Sequence, residues 1–228
     1  MHPLLLAAFL VVAGNAASFL AGSGLPGAGL PRLAFGLALV VALLAIARLA
    51  GVSPAELGLR GERAPAALAL GALLGLAGAA IGLLVLRYQP VAPGPIGYAP
   101  AAGVTSDALA LHLVLFLPLG VALPEELAFR GVLLAGFARR TSLPRAVAAS
   151  SLAFALWHAT IVLPTIRETN LAGDPLLVAL AVAAAPAVLF AGGIALAILR
   201  LRAGTLAASF AAHWAFNAVM LVGLRALS

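Results

Sequence analysis

Two adjacent carboxylates, Glu125 and Glu126, and one guanidinium, Arg130, lie within the run Leu117–Gly131, which is otherwise apolar enough to cross a lipid bilayer. An ionisable group at such a depth costs about 2.5–3.5 kcal/mol on insertion scales, and it marks a functional interior or a water-filled cavity. Two later apolar runs carry polar groups of their own: Phe154 with His158, and His213 with Asn217. Glutamate and histidine are acid–base side chains, able to activate a water or to relay protons. Two histidines and a glutamate are also a ligand set for zinc, with a fourth position left open for water. The His-Glu-x-x-His helix signature of many zinc proteases is absent.

Helical spacing separates these groups. Glu126 and Arg130 are four apart and share a face, so they can pair and lower each other's cost, as structural or functional partners alike. Glu125 is turned by about 100° from Glu126 and has no cation on its own face, which leaves it free for chemistry. Pro124 cannot donate to the helix and loosens the turn before it. His213 and Asn217 present two polar heads to one surface, and Phe154 sits one turn before His158, placed to pack against or orient the imidazole. A membrane histidine can also be no more than a hydrogen-bonding strut, the reading adopted for His112 near the outer end of its run. Asn15, Ser18, Ser150, Ser151 and Ser209 read as helix-packing polar residues. Ser150 or Ser151 as a protease nucleophile has little support, since no histidine lies at a shared-face spacing.

The elements that must carry this set follow from composition. Of 228 residues, 64% are hydrophobic and 9% charged, against about 25% charged in soluble domains. The chain is therefore expected to be an all-α, polytopic membrane bundle, one embedded domain over residues 1–228. Seven runs have the ~20 apolar residues of a spanning helix: Pro3–Ala21, Pro31–Val52, Pro65–Leu86, Asp107–Leu134, Pro144–Leu163, Pro175–Leu199 and Ala203–Leu224. The first resembles a signal peptide but lacks its basic start, so an uncleaved helix is expected. Gly22–Gly29 is a turn, and Ser53–Arg60 opens like a capped helix and reads as a short surface helix. Gln89–Ser106, with Pro90, Pro93, Pro95 and Pro100, and Pro164–Asp174 read as loops.

All 13 basic residues are arginines, and they punctuate the ends of the runs, which argues for topology signals and against nucleic-acid binding. Seven crossings place Arg48, Arg60, Arg63, Arg139, Arg140, Arg145, Arg200 and Arg202 on one side. Arg32, Arg87, Arg167 and Arg225 fall on the other, so the N-terminus is expected in the cytoplasm. Absence of cysteine excludes disulfides and thiol catalysis. Measured from the cytoplasmic ends at 1.5 Å per residue, Glu125 lies roughly 15 Å deep, His158 roughly 20 Å and His213 roughly 15 Å. Three helices thus bring an ionisable group near one level, as a single site requires.

Glu125-Glu126-x-x-x-Arg130, Phe154-x-x-x-His158 and His213-x-x-x-Asn217, in this order on three hydrophobic runs within residues 112–220, resemble the three motifs of the CPBP family. That family comprises CAAX prenyl endoproteases and bacterial Abi-type, bacteriocin-associated membrane proteins. The resemblance implies an intramembrane endopeptidase in the bacterial plasma membrane, with a site open toward the cytoplasm. Its substrate would be a peptide or lipidated protein, CAAX-type or prenylated, met in the bilayer. By the motif match Glu125 would activate water, His158 would help to hold it, and His213 with Asn217 would hydrogen-bond the oxyanion, while Glu126 and Arg130 buttress them. Either no cofactor or a Zn2+ held by Glu125, His158 and His213 is compatible with the residues. Two rival functions use the same residues: a proton-coupled transporter, for which no inverted repeat of broken helices is visible, and a non-catalytic immunity or scaffold protein on the same fold.

Overall fold

Long runs of Ala, Leu, Gly and Val can satisfy their backbone within lipid only as helices, and helices are what the chain forms. The computed structural model describes residues 2–21, 25, 29–60, 64–92 and 94–227. Most of the expected Gly22–Gly29 turn, together with Arg63 and Pro93, lies outside them. The main helices are α1 (Pro3–Ala21), α2 (Leu30–Leu49), α3 (Ala64–Tyr88), α4 (Ser106–Ala138), α5 (Leu143–Trp157), α6 (Ala159–Arg167), α7 (Pro175–Ala203) and α8 (Leu206–Leu227). No strand occurs among the described residues. Side chains such as Leu73, Ile81, Val114, Leu180 and Val188 are more than half exposed and form the surface a bilayer would cover.

The seven expected runs each become helical, but the number of full spans is smaller. Among the described residues, α2, α3, α4, α7 and α8 are long and apolar enough to cross a membrane, and α5 with α6 makes a sixth, broken span. α1 is apolar but short by the same measure. The expected uninterrupted helix over Pro144–Leu163 is bent by 48° at His158. There the His158 ring nitrogen Nδ1 lies 2.8 Å from the Phe154 carbonyl oxygen. That carbonyl would otherwise accept the His158 backbone N–H, which bonds to Ala155 O instead. Helix then continues through Pro164 to Arg167, where a loop was expected.

α4 is the centre of the bundle, with α1, α2, α5 and α8 around it. Every residue from Pro124 to Ala135 is buried, the charged Glu125, Glu126 and Arg130 included. Three of its stretches, His112–Phe116, Pro118–Ala122 and Leu127–Leu133, have the wider π-type turn. Pro118 and Pro124 withhold N–H groups from the ordinary ladder, and wide turns of this kind recur at functional sites.

α3 packs along α8 through glycine. A Cβ built on Gly75 would stand 2.3 Å from the Ala212 carbonyl oxygen, one residue before His213. Because that contact is backbone, neither helix can yield locally. Gly75→Ala is expected to lower stability by about 1–3 kcal/mol and to displace His213. Gly78→Ala, whose Cβ would meet only Phe216 at 3.5 Å, should be tolerated. Thermal unfolding of both variants in detergent checks the contrast.

Connectors tie the helix ends together. At one end Ser53 and Glu56 form the expected capping box, but Gly58, at φ 75°, closes the segment after a single turn instead of the expected helix. Glu56 accepts from Arg139 Nε at 2.7 Å and Nη2 at 2.8 Å, and this pairing holds its carboxyl down at about 2. Arg139 also reaches Ala50 O and Gly51 O, and Arg200 reaches Glu56 O. At the opposite end Tyr98 donates to Glu168, and Asn170 holds Pro95 O and Gly97 N.

Candidate active site

Glu125 is 3% exposed, on the fully buried part of α4. Its Oε1 accepts a hydrogen bond from Trp157 Nε1 at 3.1 Å. Its Oε2 is buried without a hydrogen-bond partner among the described residues. That oxygen lies 3.8 Å from His158 Nε2 and 3.9 Å from His213 Nε2. α4, the end of α5 and α8 therefore bring Glu125, His158 and His213 to one point.

Glu126 faces elsewhere, as the 100° rotation requires. Its Oε1 accepts from Arg130 Nη1 and from His213 Nδ1, each at 2.9 Å. Glu126 and Arg130 are each 1% exposed. Arg130 also donates to Gly193 O on α7 at 3.4 Å, and its guanidinium lies 4.1 Å from the Phe154 ring centroid. Phe154 meets His158 at 4.7 Å and His213 at 6.0 Å between centroids, both edge-on. One aromatic ring thus packs beside the cation and both imidazoles.

Hydrogen bonding fixes the ring tautomers. A carbonyl and a carboxylate can only accept, so Nδ1 of His158, on Phe154 O, and Nδ1 of His213, on Glu126, both carry hydrogen. In the neutral rings each Nε2 then offers a lone pair toward Glu125 Oε2. With both rings neutral, three acceptors converge on one point; with His213 protonated, its Nε2 is a donor there.

Asn217 follows His213 by one turn and is half-buried, and its amide makes no hydrogen bond among the described residues. The structure does not join it to Glu125. Ser150 donates to Phe129 O, Ser151 packs against Gly193, and Ser209 donates to Leu206 O. None of the three hydrogen-bonds to a histidine among the described residues. His112 is 1% exposed, and both its ring nitrogens lack partners among the described residues. It packs near Phe116 and is no hydrogen-bonding strut. Trp157 is the site residue that motif spacing missed. Its signal was an indole donor directly beside His158.

Zinc tests differently from water. Tetrahedral ligands with bonds of 2.0–2.1 Å sit about 3.3 Å apart, whereas Glu125 Oε2 stands 3.8 and 3.9 Å from the two imidazole nitrogens. Among the described residues no group of three His, Asp or Glu side chains is placed to hold a metal. As arranged, the residues do not fit the ion.

Residues 107–219 match the model of the family described as Type II CAAX prenyl endopeptidase Rce1-like. No curated protein and no solved structure gave a match. The matched stretch runs from the start of α4 into α8 and includes every residue of the convergent set. Residues 107–219 are thus an Rce1-like domain of a multi-pass membrane protein, and that domain supports an intramembrane endopeptidase.

Proposed function

We propose that Glu125 is the general base of a metal-free peptide hydrolysis within the membrane. The observation that carries this is the buried, unpartnered Glu125 Oε2 facing two imidazole nitrogens at 3.8 and 3.9 Å. In the reacting complex one water bridges Oε2 and His158 Nε2 through hydrogen bonds of about 2.8 Å. The water donates one hydrogen to each and turns a lone pair to the substrate carbonyl. As its oxygen attacks, Glu125 takes the proton. The C–O bond forms while the carbonyl π pair moves onto oxygen.

The resulting oxyanion needs donors in place before it develops. The free amide of Asn217 is one. His213 is the other in its imidazolium form, which donates from Nε2 while Glu126 accepts from Nδ1. Arg130 balances one of the two buried carboxylates, and a proton on His213 balances the second. When the tetrahedral intermediate collapses, Glu125 returns its proton to the departing amine, and both base and donors are restored. Trp157 fixes the other carboxylate oxygen so that Oε2 keeps its aim.

The substrate class proposed is a C-terminal CAAX-type peptide with a lipidated cysteine, because the Rce1-like domain and a site inside the bilayer both suit a lipid-anchored chain. Purified protein in liposomes is expected to cleave a farnesylated C-terminal peptide. Cleavage should persist after exhaustive chelation with 1,10-phenanthroline, with zinc well below one per chain. Loss of turnover on chelation, restored by zinc alone, would overturn the metal-free route. Failure to cleave any lipidated or membrane peptide would overturn the endopeptidase reading and leave a non-catalytic role.

A further inference from the structure

We propose that Asn15, on α1 and outside the stretch matched to the family, is a positioning residue that holds open the break in the α5–α6 span and so aims Trp157 and His158 at Glu125. This rests on the catalytic roles proposed above for those residues.

In an unbroken helix the Thr160 N–H would donate to the Leu156 carbonyl, four residues back. At the 48° bend it does not. The side-chain amide of Asn15 stands between the two groups: Thr160 N donates to Asn15 Oδ1 at 2.7 Å, and Asn15 Nδ2 donates to Leu156 O at 2.8 Å. One amide thus takes the Thr160 N–H and adds a side-chain donor to Leu156 O, which also accepts a backbone N–H at the helix end. An unpaired backbone group in the bilayer costs several kcal/mol, so without this amide the span would be driven to re-form its own ladder. Closing the ladder would turn the two residues inside the bend, Trp157 and His158, away from Glu125.

Two more contacts show that the fit is built. Thr160 Oγ1 donates to the Asn15 carbonyl at 3.1 Å, and Asn15 Nδ2 also reaches Val11 O at 2.8 Å. Gly14 lies directly under the Trp157 indole, where a Cβ would stand 2.1 Å from Cε3. A side chain at position 14 would keep α1 from approaching closely enough for Asn15 to reach the gap. The amide is needed for its two unlike edges: Asp presents two acceptors and Leu neither edge.

The test compares wild type with Asn15→Leu and Asn15→Asp in liposomes, reading kcat and KM on the farnesylated peptide and backbone amide exchange over residues 156–162. Asn15→Leu is expected to lower kcat between about ten- and a hundredfold with KM nearly unchanged, the size expected of an ångström-scale misplacement. Exchange should change at Thr160 while α3 and α8 stay protected. Asn15→Asp keeps the acceptor for Thr160 and should retain more of the protection than Leu while still losing kcat. Unchanged kcat in both variants overturns the proposal, as does an equal loss of protection throughout the chain in both, which would mark general destabilisation. Should wild type cleave nothing, the reading of the reaction fails. The bend is then judged by exchange and by the rate at which diethyl pyrocarbonate modifies His158, and wild-type values of both in Asn15→Leu and Asn15→Asp overturn the proposal on their own.

Discussion

Glu125→Gln is expected to yield a folded protein whose cleavage rate is lower by about 10²- to 10⁴-fold, the range that a positioned general base supplies. The substitution is close to isosteric, and its amide oxygen can still accept from Trp157 Nε1. Its NH2 takes the place of the oxygen that lies 3.8 Å from His158 Nε2, and it introduces no buried charge. Folding is therefore preserved while the proton acceptor is lost. The measurement is single-turnover cleavage of a lipidated peptide in liposomes, beside thermal unfolding of the same preparations. A wild-type rate from Glu125→Gln would remove Glu125 from the chemistry. A low rate with a lowered unfolding temperature would be a structural effect, so the two readings are needed together.

Much of this site is visible in the sequence for simple physical reasons. Charges inside apolar runs are costly, so Glu125, Glu126 and Arg130 stand out from their neighbours. Periodicity then pairs Glu126 with Arg130 and turns Glu125 away, and the structure has that arrangement. The packing of Phe154 on His158 follows from the same four-residue spacing. Contacts between distant runs are not encoded in periodicity. The His213 bond to Glu126 joins residues 87 apart, and both edges of the Asn15 amide reach a helix more than 140 residues away. The bend at His158 escapes for that reason, because no glycine or proline announces it and its replacement partner lies on α1. The Ser53 turn is the converse case. Its capping box was legible, but Gly58 stops the helix before a second turn.

The largest stability effect is expected from Arg130→Leu, at about 3–5 kcal/mol, the cost of leaving one member of a buried pair uncompensated. Arg130 and Glu126 are each 1% exposed and 2.9 Å apart, so no water can take over from the lost guanidinium. Its other contacts, with Gly193 O and the Phe154 ring, add to the loss. Arg130→Lys should recover only part, since a single ammonium cannot reproduce the planar fork that serves Glu126 and Gly193 while stacking on an aromatic face. The double variant Glu126→Gln/Arg130→Leu separates charge from packing. Gln keeps an oxygen for His213 Nδ1 but buries no charge, and replacing a whole buried pair is often close to neutral. The double variant is thus expected to be more stable than Arg130→Leu alone, by reversible unfolding in detergent or bilayer. If it is no more stable, the cost lies in the guanidinium's packing on Phe154 and Gly193, and the charge of Glu126 is not what Arg130 is needed for. Catalysis divides the two cases again. A stable double variant has lost the carboxylate that accepts from His213 Nδ1, and a neutral amide oxygen supports a protonated ring less well, so its turnover should fall even where its fold has recovered.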